Sequence, residues 1–311
     1  MELNILNEEE MELGKYPLVK KFTNNLVSKN ELQKKYIANW KLSEQEINEL
    51  NNVLEFFTEV YDNKCDVEYI VDAYLFLNNA ILEETYYFMV NGNYRNSTFK
   101  EVNDSVYANK EYMGRYMIGL SVSDYIWINH LKMIRYFEEN IKLFSGDKYL
   151  EIGPGFGQYL SRAIANCNFN EYSACDVSET SVNGSNKYLE YKELGDKCKV
   201  TQKDFFDYAS TDKFDCIVMG EVLEHVEKPL DMLLKLYELL SENGKAFITT
   251  AINAPTPDHI YLFRNVEEVL SIVKEAGFNV IDYAYYTAGD ISFEKAVKKK
   301  QAISIALILG K

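Results

Sequence analysis

Tyr149-Leu-Glu151-Ile-Gly153-Pro-Gly155-Phe-Gly157 carries the strongest local signal in the chain. It opens as a short apolar run of strand type, passes three glycines at alternate positions, and leads into a helical pattern. Glycine lacks a Cβ, so such a turn can be tight and lets a ligand approach the backbone closely. A plain strand-to-helix turn is the bland alternative. The dinucleotide fingerprint G-x-G-x-x-G asks for glycine at position 158, where this chain has Gln158. Glu151, two residues ahead of the first glycine, would also sit badly beside a pyrophosphate. A carboxylate there favours a ligand bearing a cation. The turn points away from NAD.

Working outward, short β runs alternate with helical patterns. They are YLEI (149–152), EYSACD (171–176), CKVTQKD (198–204), FDCIVMG (214–220) and KAFITTA (245–251). Between the last two, Pro229 to Leu240 carries Leu230, Leu233, Leu234 and Leu240 at helical spacing. This alternation predicts a parallel sheet covered on both faces. NVIDYAYY (279–286) and AISIALIL (302–309) follow with no obvious full-length helix between them, which predicts a closing antiparallel strand. Upstream of Lys148 glycines are sparse and the spacing is helical. Ser43-Glu-Gln-Glu46 is a capping box for a helix with Ile47, Leu50, Val53, Leu54 and Phe57 on one face. A second helix is expected from about Asp66 to Asn91, stopped by Gly92, and a third from near Ser123-Asp124 to near Ser145-Gly146. The expected division is 1–145, an all-helical lid or substrate domain, and 146–311, the sheet domain.

From about Lys148 to Lys311 the sequence resembles the class I S-adenosylmethionine-dependent methyltransferases, whose first motif reads Asp/Glu-x-Gly-x-Gly-x-Gly. The resemblance implies a Rossmann-like α/β sheet of seven strands, mostly parallel with the last antiparallel. It implies S-adenosylmethionine as cofactor, held by Glu151, Gly153, Gly155 and Gly157. Asp176 ends the second strand, where the family places an acid on the ribose hydroxyls. Val177 follows at the position that packs on adenine, and Asp204-Phe205 matches the pair meeting the adenine amino group and ring. Met219-Gly-Glu221-Val-Leu-Glu224-His225-Val resembles the "LEHV" segment of ubiquinone-biosynthesis O-methyltransferases, with Met219 on the cofactor side. Related enzymes place a lid shortly before the first strand. Tyr116, within Glu111–Tyr125, is the lid residue expected at the cofactor, and Arg115 is a candidate for a carboxylate.

Glu221, Glu224 and His225 have i, i+3, i+4 spacing and share one face if a helix begins at or before Glu221. His259 follows the fifth strand in Pro255-Thr-Pro-Asp-His259. Two carboxylates and two imidazoles suit one divalent metal ion, and the pattern resembles the metal site of small-RNA terminal 2′-O-methyltransferases. The alternative stands beside it: Glu224 caps or pairs, and His225 holds a loop. With or without metal, His225 and His259 are the candidate catalytic residues, and His130 is assigned to packing. A metal-free general base would lose activity as an imidazole protonates near pH 6–7.

The chain has 311 residues, enough for two domains at about 150 each. Thirty-three Lys and Arg against 48 Asp and Glu leave a net charge of −15. That field repels phosphate backbones and anionic membrane surfaces, so nucleic acid and membrane are not expected partners. Five cysteines without Cys-x-x-Cys spacing argue for reduced thiols rather than disulfides or a zinc site. The acidic start lacks the order of a signal peptide, and no apolar stretch is long enough to span a bilayer, so a cytoplasmic protein is expected. The expected activity is O- or N-methylation of a small polar metabolite: a sugar, a nucleotide-linked sugar or a natural-product intermediate. Such an acceptor calls for an enclosed pocket on the order of 300–1,000 Å³. A protein or peptide methyltransferase and a non-catalytic cofactor-binding scaffold are the competing readings.

Overall fold

Seven strands form one sheet in a computed structural model that describes residues 14–37, 40–61, 65–289 and 291–311. They are β1 Lys148–Ile152, β2 Glu171–Asp176, β3 Val200–Gln202, β4 Phe214–Gly220, β5 Leu240–Ile252, β6 Asn279–Thr287 and β7 Ile303–Gly310. The order is β3-β2-β1-β4-β5-β7-β6. Pairing is parallel from β3 to β5, and β7 runs antiparallel to both β5 and β6. Five of the seven runs match the sequence expectation within about one residue at each end. The third shrinks from seven residues to the three of Val200–Gln202, of which only Val200 is buried. The fifth extends back to Leu240.

Strand periodicity explains why both faces are covered. Leu150 and Ile152 of β1 join Ile217 and Met219 of β4 in one core, closed by helices Pro229–Leu239 and Val266–Glu275. Tyr149, Cys216, Val218 and Phe247 alternate onto the other face, under Phe137 and Leu160.

The helical part comprises α1 Pro17–Lys29, α2 Glu44–Glu55, α3 Val67–Asn91, α4 Lys110–Ile126 and α5 Ile128–Ile141, with shorter turns between. The capping box at Ser43 and Glu46 forms as expected. Gly92 ends α3 in the left-handed conformation, φ 72°. The expectation of one helix starting near Ser123 fails. Ser123 lies inside α4, and the break falls at Trp127, whose φ −88° and ψ 119° are extended. Buried Ser121 and Ser123 return their hydroxyls to the carbonyls of Met117 and Leu120, so their polarity marks no boundary.

Helix α6, Gln158–Asn166, carries the principal tie between the two parts. Arg162 is 7% exposed. Its guanidinium meets Glu49 of α2, Glu138 of α5 at 2.8 Å, Gln158 at 2.6 Å and the Tyr125 hydroxyl at 3.1 Å. Asn129 donates to Ser304 at 3.1 Å, and Tyr136 to Asp282 at 2.8 Å. These contacts hang the helices over the carboxyl ends of the strands.

Candidate active site

Chain direction reverses about β1, which lies between β2 and β4, so a crevice opens at the carboxyl ends of these strands. The glycine turn fills its base. Gly153 has φ 64°, and a Cβ there would meet Val222 Cγ2 at 2.8 Å, so both backbone and space require glycine. Its N–H donates to the Cys175 carbonyl at 2.9 Å, tying the turn to β2. Gly155 and Gly157 are also left-handed. Asp176 lines the crevice and accepts the Ser178 N–H at 2.8 Å. Burial pushes its carboxyl up to about 6.

Val177, Asp204, Phe205 and Tyr116 line the same cavity as Gly153, Gly155 and Asp176. Four expected residues do not. Glu151 is 1% exposed, on the opposite face of β1. It accepts the Tyr149 hydroxyl at 2.5 Å, and burial raises its carboxyl to about 8, so at neutral pH it is a protonated brace beneath the turn rather than a cation site. Met219 is fully buried with Leu150 and Ile217, because β4 turns that side chain into the core. Arg115 points away, to the Asp72 carbonyl at 3.1 Å and over the Phe76 ring. Gly157, which caps α6, is likewise outside the lining. Tyr116 donates to Asp258 Oδ1 at 2.8 Å, which places it toward the histidines.

The cavity runs on past the histidines to Lys300 and Gln301 before β7, and its volume is about 2250 Å³. It exceeds the metabolite-sized expectation because the crevice and this limb are continuous.

His225 and His259 line the cavity, and their ligand atoms lie within 4.8 Å of one another and of the fully buried Glu224. No α-helix brings them together. Leu223–His225 is a single 3-10 turn, and Glu221 sits left-handed at φ 53°. Convergence comes instead from the Glu224 carbonyl, which accepts the N–H groups of Ile260 (2.8 Å) and Tyr261 (2.9 Å). Glu221 is not in the trio, although its charge helps to keep Glu224 protonated. Burial comes first in raising Glu224 well above the carboxylate range. His259 Nδ1 donates to the Ala254 carbonyl at 2.6 Å, and His225 Nδ1 to the Asp258 carbonyl at 2.9 Å. Both Nε2 lone pairs are therefore left over. Glu224 Oε2 accepts from Thr250 at 2.7 Å, while its Oε1, like Glu221 Oε1, is buried without a hydrogen-bond partner among the described residues. One orphaned carboxylate oxygen and two imidazole lone pairs fit a divalent ion. Burial lowers His259 to about 3, so it stays neutral and cannot be the source of a pH 6–7 loss.

Several residues here had no assigned role in the sequence. Asp258 is 5% exposed and accepts from Tyr116 and Thr256. Burial opposes its ionisation, yet His225 beside it and the hydrogen bonds from Thr256 and Tyr116 hold it below the usual carboxylate range. Tyr107 places its hydroxyl 3.1 Å from His225 Nδ1. Tyr94 accepts the Ala254 N–H at 3.0 Å, and Asn96 donates to the Pro257 carbonyl at 2.8 Å. Only Asp258, next to His259, carried a local signal. His130 packs edge-on against Trp127, as assigned, and also reaches the cavity wall.

Residues 150–246, from β1 into β5, match the family model described as a methyltransferase domain. The segment contains the glycine turn, Asp176, Asp204 and the Glu224-His225 turn. The chain carries a class I S-adenosylmethionine-dependent methyltransferase domain. Among curated relatives, ubiquinone biosynthesis O-methyltransferase of Rickettsia typhi is 28% identical over 163 residues, covering 51% of this chain and 63% of that protein. The enzyme of the same name from Actinobacillus pleuropneumoniae is 27% identical, covering 54% and 67%. The matches thus span about two thirds of those relatives. A solved structure, Haemonchus contortus phospholethanolamine N-methyltransferase 2 with phosphomonomethylethanolamine and S-adenosylhomocysteine, superposes with TM-score 0.52 at 15% identity. It covers 69% of this chain and 60% of that one. That likeness is one of fold. The crevice fits S-adenosylmethionine, the cofactor of this domain: Asp176 offers acceptors for two hydroxyls, and the bare backbone of Gly153 and Gly155 leaves room beside them.

Proposed function

We propose that this chain transfers a methyl group from S-adenosylmethionine to an oxygen of a small polar metabolite, such as a sugar or natural-product intermediate. Glu224, His225 and His259 hold a divalent ion beside that oxygen. The observation that supports this most is the buried Glu224 Oε1, without a hydrogen-bond partner among the described residues, within reach of two imidazoles that line the same cavity as Asp176. An amine acceptor needs only a held, neutral nitrogen, and would not call for this set. The sulfonium donor supplies an activated methyl group, and a divalent ion supplies a lowered pKa for a hydroxyl. The residues do the rest. Asp176 orients the ribose, and Asp258, through Tyr116 and the His225 backbone turn, fixes the floor on which the acceptor lies. His225 Nε2, if unligated, can take the hydroxyl proton. The helical region, residues 1–145, acts as the lid that excludes water, because Tyr107 and Tyr116 reach the site from it. The size of the cavity supports a second reading, a peptide side chain as acceptor. The acidic balance speaks against nucleic acid. Five cysteines without Cys-x-x-Cys spacing support a reducing compartment such as the cytoplasm.

Calorimetry tests both halves. S-adenosylmethionine should bind and NAD should not; saturable NAD binding alone would remove the cofactor assignment. Mn²⁺ should bind with release of a proton from Glu224, seen as heats that vary with buffer ionisation enthalpy. His259→Ala should abolish that uptake and leave S-adenosylmethionine binding intact. Unchanged Mn²⁺ affinity in the variant would remove the ion.

A further inference from the structure

Charge is balanced differently at the two ends of the cavity. Its donor end mixes the acids Asp176, Glu179, Asp204, Glu227 and Asp231 with Lys203, with Lys110 paired to Glu179 and with Lys228 beside Asp231. The opposite end, over β7 and β6, carries Lys41, Lys132, Lys299 and Lys300. The lining acid in that limb is Asp124, which faces His130 at 3.5 Å. In a chain of net charge −15, a cationic rim runs against the average.

A chain of contacts sets these groups along one wall of the cavity. The Asn129–Ser304 bond at 3.1 Å sets the first turn of α5 on the start of β7, a few residues from Lys300. Arg135 donates to the Lys41 carbonyl at 2.8 Å, which brings Lys41 beside the same helix. Lys132 Nζ lies 5.9 Å from the centre of the Tyr286 ring, and Tyr286 pairs with Ser304. Glu46 already engages Arg135 through two nitrogens. Among the described residues, no carboxylate lies within ion-pair distance of the four lysines. Two further donors are unspent. The Trp40 indole N–H, shielded from solvent in the cavity wall, has no partner among the described residues. Helix α5 begins without a side-chain cap, and its first residues Ile128, Asn129 and His130 line the cavity; helix N-termini favour anions. Lys300 itself is left-handed at φ 50°, a position where glycine or asparagine is usual.

We propose that this rim is an oxyanion subsite and that the acceptor is a phosphorylated metabolite. Its phosphate or diphosphate lies over β7 while its hydroxyl reaches the histidines. The proposal rests on the methyl-transfer reading and names its substrate class. Four ammonium groups without carboxylate partners exceed what one monocarboxylate can neutralise, which is why phosphate is favoured. Exposed lysines at a cavity mouth also draw an anion toward an otherwise repelling surface.

The test is a calorimetric titration of inorganic pyrophosphate into the full chain, in metal-free buffer at low ionic strength, with S-adenosylhomocysteine already bound. Wild type and Lys132→Gln/Lys300→Gln are compared, with acetate as the monocarboxylate probe. Saturable pyrophosphate binding is expected, about tenfold or more weaker in the variant, since charge-assisted hydrogen bonds are lost. It should weaken with added salt, and acetate should not bind in the same range. Absence of pyrophosphate binding, equal binding in the variant, displacement by S-adenosylhomocysteine or equal binding of acetate each overturns the proposal. Affinity for S-adenosylhomocysteine is read separately. Its loss counts against methyl transfer, not against the subsite.

Discussion

In the proposed function a single carboxylate, Asp176, joins the sequence motif to the binding chemistry. Its carboxyl is raised to about 6 because the turn and the following helix start enclose it. A raised acid holds its proton longer in the folded state, so folding stability falls as pH rises toward 6. Ligand binding has the opposite sign. The ribose hydroxyls need the ionised form as acceptor, so affinity for S-adenosylhomocysteine should hold above pH 6 and fall as pH drops through it. Asp176→Asn should weaken binding about tenfold at pH 7.5, with the pH slope gone. Titration calorimetry between pH 5 and 8, as an experimental range of about three units, reads both effects. A variant with unchanged affinity would place the ribose elsewhere. Glu151 carries the contrary lesson. It fits the family motif at its position, yet strand alternation turns it under the sheet, where it accepts from Tyr149.

The 254–259 segment is the element that makes the metal constellation possible. Nothing in its sequence forces His259 toward Glu224. Its carbonyls at Ala254 and Asp258 fix the two imidazole tautomers, and its own position is set from the helical region. Tyr94 takes the Ala254 N–H, and Asn96 holds the Pro257 carbonyl. Tyr94→Phe should leave that buried N–H unpaired, costing about 1–2 kcal/mol in urea unfolding. Mn²⁺ affinity should fall with it, while S-adenosylhomocysteine affinity stays near wild type. Equal Mn²⁺ binding in Tyr94→Phe would show that the segment holds its shape unaided.

At the scale of the molecule, Arg162 is the fastening. It stands on the sheet side, one turn after the glycine loop, and its partners Glu49, Tyr125 and Glu138 all belong to the helical part. Removing one member of a buried ion cluster leaves uncompensated charge, so Arg162→Ala should cost about 3–5 kcal/mol. If the fastening positions the lid, the same variant should expose the cavity and speed proteolysis within the helical part before the sheet domain is cut. A single cooperative transition of wild-type midpoint would show that the contact carries neither stability nor docking.

The sequence by itself determined the sheet domain, because strand and helix periods, the glycine turn and the acids at strand ends are local features. Gly153 needs a left-handed backbone whatever surrounds it, and Asp176 and Asp204 follow from where strands stop. Which carboxylate faces the ligand was also local in principle, since alternation along β1 separates Glu151 from Ile152. The ligand trio was legible as residues but not as geometry. The i, i+3, i+4 spacing suggested a helical face, whereas a 3-10 turn and two bonds from Ile260 and Tyr261 to one carbonyl bring the groups together. Tyr94, Tyr107 and Asn96 had no signal of their own. Their neighbours lie more than 100 residues away in the chain or on separate helices, and only packing of the helical part over the sheet edge decides which of many aromatics and lysines reach the cavity. Tertiary structure decided these because burial and long-range hydrogen bonding, not local pattern, select them.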